Sequence, residues 1–321
     1  MMNFKDYLIV DETGMKDALN RTMIELAGED ERIVHLEADL GIPSGMQATF
    51  KAKWPDRYFE CGIQEANMMG VACGMSTVGV IPFLHTFACF IARKCTDQIY
   101  ISGCYSRQNV KIIGSDPGVT TENNGASHAG NEDMGILRSF PGMYLFDPCD
   151  PVELEAVVRM AKDLYGMCYI RFNRRAVKKI YPPDYKFEIG KGNILREGTD
   201  VTIIASGIMV AEALAAADML EAEGVSARVV DLFTWKPLDT DLIIRCAKET
   251  GAIVTAENHN IHTGLGASIA SATSTTHPVP IGMIAIPDTF GQVGSTAYQL
   301  KAYNLTAQDI CEKTRETIRR K

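Results

Sequence analysis

Short runs rich in Val and Ile, spaced between helical stretches, restrict this chain more than any other feature. VGVIPFL (78–84), NVKIIGS (109–115), VTIIAS (201–206), ARVVDLF (227–233), AIVTAEN (252–258) and PIGMIAI (280–286) do not alternate apolar with polar residues. A strand with one wet face would alternate. Strands buried on both faces belong to a mainly parallel sheet covered by helices on each side. Residues 32–38, 143–146 and 167–172 read as further strands. Helical periodicity predicts helices over 13–28, 45–53, 64–77, 87–102, 132–139 and 151–164, then over 208–223, 239–249, 264–275 and 306–319.

The alternation breaks once. Residues 181–190, YPPDYKFEIG, carry adjacent Pro182 and Pro183, which exclude a continuing helix or a central strand. The expectation is two α/β domains, each a mainly parallel sheet with helices on both faces. They span 1–180 and 191–321, with 181–190 as the linker. A net charge of −8 argues against general nucleic-acid or membrane-surface binding. No apolar run reaches the roughly 18–20 residues of a spanning helix. The opening MMNFKDYLIVDETG carries acids around a short apolar run, unlike a secretory signal. The nine cysteines are an odd number without CxxC pairing, and read as reduced, mostly buried thiols. A cytoplasmic protein without a zinc site is expected.

Ligands of open parallel sheets bind beyond the carboxyl ends of the strands. Asp39 with Ser44, the turn 59–65, the segment HTFACF (85–90) and the loop 114–131 fall at such places. In FECGIQEANMMG (59–70), Glu65 sits where the chain enters a helix. The helix dipole alone favours an acid there. Phe87 and Phe90, three apart, share a helix face and suit either core packing or a platform for a flat heterocycle. The loop GSDPGVTTENNGASHAGN (114–131) is nearly free of large apolar side chains, and its His128 is a candidate for proton transfer near neutral pH or a solvated bystander. RFNRRAVKK (171–179) is a basic cluster in an acidic protein, and Arg174 or Arg175 could fork onto an anion. His259 and His262 lack an acidic partner that would complete a metal set. GLGAS (264–268) lacks the full GxGxxG of a dinucleotide loop.

These residues, taken in order, resemble the transketolase family. The resemblance covers essentially the whole chain and is to the C-terminal half of the enzyme, as found where bacteria split it into two polypeptides. FECGIQEANMMG looks like the pyrimidine-domain motif, with its Glu at Glu65. TFACFIARKCTDQI resembles the segment that walls the aminopyrimidine, and NNGASHAGNED resembles the substrate loop. GTDVTIIASGIMVAEAL, ENHNIHTGLGASIA and DTFGQVGS look like stretches of the transketolase C-terminal domain.

The resemblance implies thiamine diphosphate as cofactor. Glu65 would hydrogen-bond N1′ of its aminopyrimidine and drive the tautomer that removes the thiazolium proton. Phe87 and Phe90 would line the pyrimidine. His128 would contact the substrate and shuttle protons, and Asp39 would bind sugar hydroxyls. Ser44 and Arg174 match positions that bind the acceptor's phosphate, Ser44 with an offset of one residue. The family holds the diphosphate and Mg²⁺ with a GDG motif and a later Asn-Asn in its other half. This chain has no GDG, and its Asn-Asn pair, 123–124, lies in the substrate loop. No metal ligand is expected here, and the resemblance implies a partner subunit carrying GDG and Asn-Asn, in an α2β2 assembly.

Two departures bear on substrate. An acidic residue before the loop glycine is here Asn124, and a phosphate-contacting His is here Asp116. They direct attention from the usual pentose phosphates to branched, deoxy- or sulfo-sugars. The expected activity is transfer of a two-carbon ketol unit from ketose to aldose. The alternatives are the beta chain of a 2-oxo acid dehydrogenase decarboxylase and a non-catalytic pseudo-subunit. Deoxyxylulose phosphate synthase is a third relative, but it carries both halves in one chain.

Overall fold

The computed structural model describes residues 9–321, so the first eight residues of the predicted first domain and of the N-terminal reading lie outside it. Strands β1 (Ile33–Glu37), β2 (Tyr58–Glu60), β3 (Ile81–Phe87), β4 (Lys111–Ser115), β5 (Tyr144–Phe146) and β6 (Cys168–Phe172) form one sheet. They are joined by β10 (Thr234–Lys236), in the order β10-β5-β6-β4-β3-β1-β2. Strands β7 (Asn193–Arg196), β8 (Val201–Ala205), β9 (Ala227–Asp231), β11 (Ile253–Asn260) and β12 (Ile281–Ile286) form the second, ordered β12-β11-β8-β9-β7. Pairing is parallel except at β10 on β5 and β7 on β9.

The apolar runs behave as expected of doubly covered strands. β1, β3, β4, β6, β8 and β9 are buried along their whole length. One face of the first sheet packs helix α1 (Met15–Glu29) against Pro151–Asp163, through Leu19, Met23, Phe83, Ile113 and Leu154. The other face packs α2 (Glu65–Ser76) and α3 (Ala88–Lys94) through Met68, Met69, Leu84, Ile91 and Ile112.

Some boundaries differ from expectation for local reasons. The strand expected over 78–84 begins at Ile81, because Gly79 turns the chain at φ 87°. It runs on through His85 and Thr86 to Phe87, so Phe87 ends a strand instead of opening a helix. The helix expected over 87–102 stops at Lys94. A short turn follows, then a π-helical segment, Ile99–Tyr105. Such segments are rare and concentrate at functional places. Of the helix expected over 45–53 only the single turn Phe50–Lys53 forms; another turn, Gly41–Ser44, precedes it, with Gly45 left-handed at φ 82° after it.

The segment from Tyr181 to Phe187 is a packed strap. Tyr181, Tyr185 and Phe187 pack on one another tilted or edge-on, with ring centroids 4.5–4.9 Å apart, and Phe187 meets Phe233. The Tyr181 hydroxyl donates to Asp231 Oδ2 at 2.6 Å. Asp231 and Glu153 are both buried at this junction, with the Cys149 thiol beside them. Burial raises both carboxyls above the usual carboxylate range.

Candidate active site

The strand order β6-β4-β3-β1-β2 brings the candidates to one edge of the first sheet. Arg174 follows β6, Asp116 follows β4, Phe87 ends β3, Asp39 follows β1, and the turn into Glu65 follows β2. All are at carboxyl ends, because the strands run parallel.

A continuous chain of contacts links most of them. Glu65 opens α2 and is 3% exposed. Both its oxygens accept from Lys94 Nζ, at 2.8 and 3.0 Å. The Lys94 ammonium lies 4.2 Å from the Phe90 ring centroid. Phe90 and Phe87 meet edge-on at 5.9 Å, and the His128 ring touches both, at 5.1 and 5.4 Å between centroids. The Arg174 guanidinium sits 5.0 Å from the centroid of Phe87. Its Nε donates to Asp116 Oδ2 at 2.7 Å, and its backbone N–H to Oδ1 at 3.1 Å. Asp116 is therefore the counterion of Arg174. A phosphate approaching Arg174 would compete with a carboxylate already in place.

His128 is half-buried, and its Nδ1 lies 2.9 Å from the Ser127 hydroxyl. Asp39 is exposed, with a left-handed backbone at φ 59° that its N–H bond to Glu60, 2.7 Å, helps to hold. It shares the edge but meets no other candidate through a hydrogen bond or ion pair.

Ser44 is turned inward instead. It is 3% exposed and donates to Glu37 Oε1 at 2.7 Å. Glu37 also meets His35 Nε2 at 2.9 Å and His85 Nδ1 at 2.8 Å. Burial works against its charge, but His85 and His35 outweigh it and hold the carboxyl at about 2. Ser44 thus belongs to a buried cluster that ties the loop after β1 to β3.

The second-domain motifs resolve into structure. His259 is fully buried, and its Nε2 accepts from Gly135 N–H at 3.1 Å. Burial lowers it to about 4, so it is neutral. His262 is exposed near Asp288. The start of helix α4 (Leu265–Ser274), where a dinucleotide phosphate would sit, is filled by the chain's own Glu257, which accepts from Leu265 and Gly266 N–H. A cavity of ≈ 690 Å³ beside the His128 loop is lined by Arg93, Ser127, Asn260, His262 and Phe290, and does not reach Glu65, Phe87 or Phe90.

Sequence reasoning missed Lys94 and Arg93. The signal was available for Lys94, which lies four residues after Phe90 and so on its side of the helix. Arg93 is joined by backbone contacts to a loop more than thirty residues away, and local spacing holds no trace of that.

A buried carboxyl and a half-open aromatic pair fit the aminopyrimidine end of thiamine diphosphate. Among the described residues, one grouping could share a metal, Cys149, Glu153 and Asp231, and it is buried between the domains.

Comparison with known proteins identifies the family. Residues 11–179 match the transketolase pyrimidine binding domain and 190–310 the transketolase C-terminal domain. The chain belongs to the transketolase family. It resembles the 6-deoxy-6-sulfo-D-fructose transketolase subunit SqwH of Clostridium sp. (strain MSTE9), with 41% identity over 97% of both chains. It is also similar to an apulose-4-phosphate transketolase subunit of Phocaeicola vulgatus, at 36% identity over 93% of this chain and 96% of that one. Among solved structures, one described as "Split gene transketolase, inactive beta4 tetramer" matches with a TM-score of 0.90 and 42% identity. It covers 96% of this chain and 99% of that one. The chain is thus of the split-transketolase subunit type.

Proposed function

We propose that this chain is the pyrimidine-binding subunit of a two-chain transketolase, moving a two-carbon ketol unit from a ketose to an aldose. The observation that carries the reading is the line Glu65–Lys94–Phe90–His128–Phe87–Arg174 along one sheet edge. Thiamine diphosphate, when bound, supplies a thiazolium carbon that becomes nucleophilic on losing its proton. Glu65 is the acid that hydrogen-bonds the pyrimidine ring nitrogen. Lys94, 41% exposed on a flexible stem, is free to yield one of Glu65's oxygens. Phe87 and Phe90 wall the ring and exclude water. His128 gives and takes a proton at the sugar oxygen. Asp39 accepts from sugar hydroxyls, and Arg174, balanced by Asp116, orients the far end of the sugar.

The partner in this reading is the N-terminal transketolase subunit, which brings the diphosphate and Mg²⁺ site in an α2β2 heterotetramer. The surface around α2 supports it. Gly70 and Gly74 face open space, and Ile63, Val71, Val78, Tyr100, Ile101 and Tyr105 are exposed around them. An apolar face of this kind beside a half-site suits a second chain. The cytoplasm is the matching location.

Relatives act on sulfofructose and on apulose 4-phosphate, according to their names. With Arg174 already paired to Asp116, we place the substrate among modified ketoses that lean less on a terminal phosphate. The test is a panel of ketose donors and aldose acceptors assayed with the partner subunit. Sulfo-, deoxy- or branched ketoses are expected to exceed xylulose 5-phosphate in kcat/KM. A clear preference for xylulose 5-phosphate with ribose 5-phosphate would overturn the substrate assignment.

A further inference from the structure

Arg93 has no part in the contacts that define the half-site, yet it grips the segment that carries His128. It lies on α3, three residues beyond Phe90. Its Nη1 donates to the Ser127 carbonyl at 3.0 Å and its Nη2 to the Ala129 carbonyl at 2.6 Å. Its Nε pairs with Glu132. One planar fork therefore holds the carbonyls of the residues on both sides of His128. The same segment is seated on α3 at Gly130, where an added Cβ would come within 2.8 Å of the Cys89 backbone nitrogen. Loop and helix thus form one unit, and the helix also presents Phe90 to the His128 ring.

We propose that Arg93 is a positioning residue: by holding the Ser127 and Ala129 carbonyls it sets the His128 ring against Phe87 and Phe90. The proposal rests on the reading of His128 as the substrate-facing proton carrier, but the placement itself can be read without activity. A guanidinium suits the task because its five N–H donors are fixed in one plane and can serve two carbonyls and a carboxylate together. A lysine ammonium, a point charge on a flexible stem, cannot hold both carbonyls at this spacing.

The test is a ¹H–¹³C spectrum of the full chain labelled at histidine Cε1, which contains six histidines. The His128 signal is identified by its loss in His128→Gln. In the wild type, the rings of Phe87 and Phe90 displace it from the position of exposed His262. Arg93→Met is expected to move it toward that position and to leave the signals of buried His35 and His85 in place, which reports an intact core. If Arg93→Met does not fold, Arg93→Lys is read in the same way. A folded variant with an unmoved His128 signal overturns the proposal. In the assembled enzyme, Arg93→Met should cost about a hundredfold, mainly in kcat, as expected for a misplaced reacting group. Should His128→Gln keep full ketol transfer, the reading of His128 falls, while the spectrum still decides whether Arg93 places it.

Discussion

Glu65→Gln is expected to lower the turnover of the assembled enzyme by about two to four powers of ten, the range of a lost general acid or a lost fixed hydrogen bond. Gln is close to isosteric with Glu, so packing at the start of α2 is kept. The amide cannot share a proton with a ring nitrogen, and it loses the ionic part of its contact with Lys94. The carboxyl is buried, so water cannot take over its role. Steady-state ketol transfer measures the loss, and a circular dichroism melt shows whether the fold survives. Turnover equal to wild type would remove Glu65 from the chemistry and leave it as an ordinary first-turn acid.

The largest effect on stability is expected at Arg171. It is fully buried on β6. Its Nη1 donates to Asp133 at 3.0 Å, and its Nη2 to Asp147 at 3.2 Å and to the Asn258 carbonyl at 2.8 Å. Desolvation works against its charge, but Asp147 and Asp133 outweigh that and raise its pKa. Asp133 also accepts from Tyr169, and Asp147 from Ser206 of the second domain. Arg171 is thus the hub between β6 of the first sheet and β11 of the second. Arg171→Met fills most of the space but strands two buried carboxylates. Breaking such a pair from one side costs about 3–5 kcal/mol, a large share of the roughly 5–15 kcal/mol that keeps a domain folded. Urea denaturation should show the midpoint falling accordingly. A loss below about 1 kcal/mol would mean that water or a neighbour takes over the charge balance.

Much of this was legible in the chain itself. Runs such as VTIIA need two covered faces, so the parallel sheets could be read from them. Glu65, Phe87, Phe90 and His128 could be named because each stands in a motif of recognisable order. Short elements were not legible: Tyr58–Glu60, Asn193–Arg196 and Thr234–Lys236 are three or four residues long, too short for a period to register. Thr234–Lys236 crosses over to pair with β5, a choice made by tertiary packing and not by local propensity. Ser44 has the residue type of an anion ligand, but Glu37, seven residues earlier, claims its hydroxyl. Asp116 looked hostile to a phosphate, and in three dimensions it is the partner of Arg174. Both outcomes depend on which strands are neighbours, which the linear order does not state.

The central claim is that this chain holds one half of a composite site. Calorimetric titration of thiamine diphosphate in the presence of Mg²⁺ tests it most directly. The chain alone should give weak binding or none, and the chain mixed with its diphosphate-binding partner should bind tightly. Tight Mg²⁺-dependent binding by the chain alone would contradict the account.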